Sequence, residues 1–214
     1  MDGFAAGLAE PPATSPRARR AIPVARPLLP PAEALLPYLR RIDQTRIYAN
    51  WGPLNGELER RLGAISGAGI DTVSTATPGL ACALRGVLAA RPAAQRRGLC
   101  LMPAWTFVAT AHAALAAGLT PCFLDVAEAD WTLHPDRVRE ALSRLTARRP
   151  PHWPDLPVAA VVTVAPFGLP VDPAPWDELA ARTGIPVVID AAAAFDALRV
   201  GATPAVVSMH ATKT

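Results

Sequence analysis

The chain has 214 residues, 51% of them hydrophobic, enough for one ordinary domain with a sizeable core. Its formal charge of +3 is too small to argue for nucleic acid, and Arg17, Arg19, Arg20 and Arg26 place much of that excess in a Pro/Ala-rich leader that reads as a solvated tail. The three cysteines, Cys82, Cys100 and Cys122, are widely spaced with no CxxC or Cys/His pattern, which argues against a zinc site and reads as core residues of a reducing compartment. The N-terminus lacks the basic-then-apolar pattern of a signal peptide and no window reaches the length of a membrane span, so the expectation is a cytoplasmic protein without a membrane partner.

In chain order, residues 1–21 read as the unstructured leader and residues 22–214 as one domain. Pro30 and Pro31 open a short helix through about Ile42, with Pro37 as a kink or early stop. Residues 45–56, rich in Asn, Gly and Pro, predict a loop, and Leu58, Leu62 and Ile65 have the spacing of a helix. Short apolar runs then alternate with helical stretches. Strands are predicted at 71–76, 98–102, 120–126, 158–164, 185–190 and 204–209, and helices at 78–90, 106–118, 134–145 and 174–184. The strands are continuous apolar runs rather than alternating ones, the pattern of a parallel sheet covered on both faces. The expected fold is therefore a three-layer α/β/α domain with a mostly parallel sheet.

Ligands of such sheets sit beyond the carboxyl ends of the strands, and four groups stand there. In "TATPG" (75–79), Thr77 reads as an N-cap with Pro78 at the first helical position, and the free N–H groups of such a helix start suit a phosphate. "PAWTFVAT" (103–110) carries Trp105 and Phe107, either of which has the shape to stack on a planar ring. Asp190 follows the apolar run "VVI", where a carboxylate is costly without a cation. In "SMHATK" (208–213), Ser208 closes the last strand and Lys213 is the only lysine of the chain. An amine forms a Schiff base with a carbonyl, and a guanidinium does not replace it in that role. Taken singly, each group also fits a plainer role: a helix cap, core packing, a loop carboxylate or a surface charge. Together they describe a ligand with a phosphate, a flat ring, a basic ring nitrogen and an aldehyde, and pyridoxal 5′-phosphate (PLP) has all of these.

From about Ile22 onward the chain resembles the fold type I PLP enzymes, and within them the DegT/DnrJ/StrS sugar aminotransferases. The resemblance is carried by "NWGPLNGELERRL" (50–62), "TATPGLACAL" (75–84), "PAWTFVATAHAALAAGLTPCFLDV" (103–126), "PFGLPVD" (166–172), "VVIDAAAAF" (187–195) and "VSMHATK" (207–213), in the family's order and spacing. It implies that Lys213 is the catalytic lysine, joining the cofactor and then shuttling protons. It implies further that Asp190 holds the pyridinium nitrogen, Phe107 stacks on the ring, and Ala76, Thr77 and Ser208 bind phosphate. Asn50 falls in a segment that faces substrate in the family. The implied reaction moves an amino group from an amino acid, glutamate by expectation, to a nucleotide-linked keto sugar, in a protein that is a homodimer in its full-length form.

The chain departs from the family pattern at three places: Ala76 stands for a glycine, Ala193 for a Gln or His, and Pro166 for a histidine. Family members also continue well beyond the lysine, so the expectation is an incomplete large domain with the C-terminal small domain absent. The alternative reading is a catalytically inactive aminotransferase-like fragment or partner-binding remnant.

Overall fold

The computed structural model describes residues 26–147 and 155–213. The predicted leader at 1–21 lies outside the described residues. The helices are α1 (Ala32–Thr45), α2 (Pro53–Ser66), α3 (Ala76–Ala89), α4 (Val108–Ala116), α5 (Pro135–Ala147) and α6 (Ala174–Thr183). The strands are β1 (Leu99–Pro103), β2 (Thr120–Leu124), β3 (Val158–Val164), β4 (Val187–Ala191) and β5 (Ala205–Val207).

The five strands form one sheet in the order β2-β1-β3-β4-β5, and every pairing is parallel. Alternate side chains of each strand serve opposite faces. Cys100 and Met102 of β1, Val162 of β3 and Val188 of β4 pack with Leu80, Leu84 and Leu88 of α3 and with Ala113 and Ala114 of α4. Leu101, Val161 and Val187 meet Val138 of α5 and Trp176 and Leu179 of α6 on the other face. This is the three-layer arrangement that the apolar strand runs predict. The chain leaves β1 for one neighbour, β2, and later returns to the other, β3. The carboxyl ends of β1 and β3 thus flank a switch point, the usual crevice of an open α/β sheet.

Gly98 makes the entry to β1 possible. Its φ is 147°, and a Cβ there would lie 2.1 Å from the carbonyl oxygen of Pro157, so no side chain fits between the two strand starts. At this foot of the sheet, arginines bond backbone carbonyls at the ends of α3 and α4, in the loop after α3 and at the start of β3. Arg96 donates to the carbonyls of Ala89 (3.0 Å) and Arg91 (2.8 Å), Arg91 to that of Ala159 (3.0 Å), and Arg85 to that of Ala116.

Four sequence expectations need correction. Residues 71–76 are not a strand: the Thr72 amide and hydroxyl donate to Glu59 of α2 (2.9 and 2.7 Å), which diverts this backbone from any ladder. Helix α1 runs through Pro37 to Thr45, ending at Arg46 in the left-handed region (φ 55°). The predicted loop at 45–56 ends early, because Pro53 already occupies the first position of α2 behind Gly52. Cys100 is buried, with its thiol pushed up to about 12 by burial, and Cys122 is half-buried, but Cys82 lies exposed on the outer side of α3 rather than in the core. No helix among the described residues is long and apolar enough to cross a membrane.

Candidate active site

A cavity of about 360 Å³ opens at the carboxyl ends of β1, β3 and β4. Its wall takes Trp105, Thr106 and Phe107 from the turn after β1, Val164 to Phe167 from the end of β3, and Asp190, Ala192 and Ala193 from the end of β4. Ala76 at the start of α3 and Lys213 close it. Ala76, Phe107, Asp190 and Lys213, far apart in sequence, therefore meet around one space.

Asp190 is the most constrained of these. It lies on the same face of β4 as Val188, the face covered by α3 and α4, and it is buried. The Thr110 hydroxyl donates to its Oδ2 at 2.6 Å, and the Ala192 amide donates to Oδ1 at 3.2 Å. Thr106 Oγ1 lies 2.7 Å from Thr110 Oγ1. Since the single Thr110 proton is committed to the carboxylate, Thr106 is the donor in that contact. Burial pushes the Asp190 carboxyl above its ordinary range, and the two hydrogen bonds and the Lys213 charge offset only part of that.

Phe107 caps α4 with an extended backbone, which leaves its ring 72% exposed in the cavity. Lys213 Nζ lies 5.7 Å from the centre of that ring, within cation–π range. The Lys213 amide donates to the His210 carbonyl at 2.8 Å, so a tight turn after β5 delivers the amine. Helix α3 begins at Ala76 with Thr75 as N-cap, two residues earlier than the expected Thr77 cap, and Thr75 makes no side-chain cap bond. Its first N–H groups remain free for an anion.

The other predicted residues are placed less centrally. Thr77 is half-buried in the first turn of α3 and does not line the cavity. Ser208 lines an adjoining cavity that shares Ala76 with the first, and its Oγ accepts from the His210 amide at 3.3 Å. Asn50 is exposed in the turn before α2 and borders neither cavity. All three departures from the family pattern, Ala76, Ala193 and Pro166, line the main cavity. Sequence reasoning missed Thr110, although it stands one helical turn after Phe107 in the same motif. It also missed Trp131 and Phe167, whose rings pack against Trp105.

A family model described as the DegT/DnrJ/EryC1/StrS aminotransferase family matches residues 32–214. The chain belongs to this family. It is 30% identical over 197 residues to a dTDP-4-amino-4,6-dideoxy-D-glucose transaminase of Shigella dysenteriae, covering 89% of this chain and 48% of the relative. Among solved structures it is similar to a Bacillus cereus protein assigned to the PLP-dependent aminotransferases, with TM-score 0.73 and 30% identity over 91% of this chain and 51% of that one. It is also similar to DesI, solved in the presence of its TDP-sugar product, with TM-score 0.64 and 30% identity over 88% and 45% of the two chains. The chain thus spans about half the length of the relatives it matches.

PLP is the cofactor this family implies. The side chains present fit it: a buried carboxylate, an amine and an exposed flat ring line one cavity, the amine 5.7 Å from the ring centre. Among the described residues no group of three or more His, Cys, Asp or Glu side chains is placed to hold a metal ion.

Proposed function

We propose that this chain is the cofactor-binding part of an aminotransferase that moves an amino group from an amino acid, glutamate by preference, to a nucleotide-linked keto sugar. The observation that carries this reading is the convergence of Lys213 and Asp190 on one cavity roofed by Phe107. The names of the relatives, one a dTDP-sugar transaminase and one solved with a TDP-sugar product, support the substrate class.

In this reading the Lys213 amine would hold the cofactor through its aldehyde and would serve as the group that moves the proton at the substrate carbon. Asp190 would hold the ring N–H of the cofactor. A carboxyl raised by burial returns to the charged form when a cation meets it, so the aspartate is suited to keep that nitrogen protonated. Thr110 holds the carboxylate in place through its second oxygen. Phe107 would cover one face of the ring, and the α3 N-terminus at Ala76 and Thr77, with the Thr77 and Ser208 hydroxyls, would hold the phosphate. When bound, PLP supplies the electron sink for the substrate carbon. Asn50 has no place in this arrangement, and the full-length protein is read as a homodimer.

The test is to incubate the purified chain with PLP, reduce it with borohydride and map the modified peptide by mass spectrometry. A visible absorbance that reduction abolishes, with a pyridoxyl group on Lys213 and none in Lys213→Ala, is the expected result. Release of 2-oxoglutarate from glutamate when a nucleotide-linked keto sugar is added completes it. A chain that stays colourless favours the inactive-remnant reading.

A further inference from the structure

Three aromatic rings crowd one side of the cavity mouth. Trp105 and Trp131 meet edge to face with centroids 5.5 Å apart, Trp131 and Phe167 do so at 5.8 Å, and Trp105 and Phe167 are tilted at 6.3 Å. Aromatic contacts of this kind usually lie inside a core. Here Trp105 is 49% exposed, Trp131 50% and Phe167 72%.

Two of the three also stand on costly backbone. Trp131 has φ 58° and Phe167 φ 53°, the left-handed region that bulky side chains avoid. Each is held there by its surroundings. Asp130 accepts from the Thr132 amide (3.0 Å) and hydroxyl (2.8 Å) and pairs with His134 (2.9 Å), while the Trp131 amide donates to Ala127 (2.9 Å). Behind Phe167, Gly168 has φ 83°, and a Cβ there would lie 2.8 Å from the Ala193 carbonyl oxygen. Left-handed backbone at bulky residues is concentrated at functional sites, and here it holds two exposed rings beside the cavity.

The position of the rings says which part of a ligand. Trp105 and Phe167 line the cavity with Lys213 and Asp190, whereas Trp131 lies behind them and lines no part of it. The rings therefore lead outward from the amine. A substrate ketone has to reach Lys213, and a cavity of about 360 Å³, at the small end of ligand pockets, has room for the cofactor and one sugar ring. The nucleotide must extend over the rim. Among the described residues lining the cavity Lys213 is the only cation, so the wall offers a nucleotide ring contact rather than ion pairs.

We propose that Trp105, Trp131 and Phe167 form the stacking platform for the base of the nucleotide-linked substrate, with Trp131 as its outer contact. This rests on the aminotransferase reading of the same cavity. Stacking on a π face tolerates exchange of one base for another, so thymine and uracil nucleotides bind with affinities within a few-fold of each other.

The experiment is calorimetric titration of dTDP, and of UDP, into the PLP-treated full chain and its Trp131→Ala, Trp131→Phe and Phe167→Ala variants. Sedimentation velocity and borohydride trapping are run on the same samples. The expected result is a dTDP affinity about tenfold weaker in Trp131→Ala and Phe167→Ala and within about threefold of wild type in Trp131→Phe. An alanine variant that keeps wild-type affinity, or a PLP-loaded wild type that binds no dTDP, overturns the platform. Unchanged dTDP affinity with loss of self-association in Trp131→Ala also overturns it and assigns the rings to a contact between copies. Absence of trapped cofactor in the wild type overturns the aminotransferase reading instead, and the dTDP titration of that same chain still decides whether the platform exists.

Discussion

Thr110 and Asp190 stand 80 positions apart in the chain, and a hydrogen bond of 2.6 Å joins them inside the protein. The bond crosses from the first turn of α4 to the end of β4, tying the helix that presents Phe107 to the strand that presents the carboxylate. Thr110→Val keeps the shape and removes the donor. It is expected to cost about 1–3 kcal/mol near neutral pH, measured by urea denaturation, with Thr110→Ser recovering most of the loss. In a double-mutant cycle with Asp190→Asn the two changes should be non-additive.

Asp190 itself has a pH signature. Its carboxyl is raised by burial, so the stability it contributes to the cofactor-free chain is fully present below the ordinary aspartate range. That contribution is lost as pH rises through the raised value. Asp190→Asn removes the titration. Thermal melts from acid to neutral pH should show the variant gaining on the wild type as pH climbs, and added PLP should raise the midpoint of the wild type only. A wild-type advantage that grows toward neutral pH in the cofactor-free chain would contradict this.

Asp177 makes the opposite case. It accepts from the Ala202 amide (2.9 Å), the Thr203 amide (2.7 Å) and the Thr203 hydroxyl (2.5 Å). Burial pushes its carboxyl up, but these bonds outweigh it and hold it below the usual range. Its contribution is present above that range and lost as pH falls through the lowered value. The bonded loop leads into β5 and on to Lys213. Asp177→Ala should cost about 1 kcal/mol at neutral pH and less in acid, the solvent access of the group keeping the figure modest.

Leu84 tests the layer beneath the site. It is fully buried between α3 and the sheet. Leu84→Ala leaves a void that close-packed neighbours fill only in part, and an unfolding free energy lower by about 2–5 kcal/mol is expected.

The central strands were readable because burial on both faces favours near-continuous apolar runs, as in β1, β3 and β4, where Thr163 and Asp190 are the polar exceptions. Residues 71–76 deceived for a local reason. Their Thr, Val and Ser look strand-like, yet the partner of Thr72 is a helix glutamate 13 positions earlier, which no propensity reports. At the site, Lys213, Asp190 and Phe107 could be named because each closes or follows a legible element. The Thr110 bond and the Trp105–Trp131–Phe167 contacts could not. They join segments following three different strands, and such neighbours exist only once the parallel order has set those strand ends side by side. Asn50 shows the converse: a motif located it, and the geometry left it outside both cavities.

At the foot of the sheet, Arg85, Arg91 and Arg96 hold backbone carbonyls with forked guanidiniums, and the same choice of base extends over the rest of the chain, where Lys213 is the sole lysine. Guanidinium groups stay protonated and do not trap formyl compounds as a free amine does. Apart from the N-terminal amine, an imine that borohydride can fix has one side-chain destination on this polypeptide. Reductive tagging at that position would therefore need no directing group, because no second side-chain amine competes for the imine.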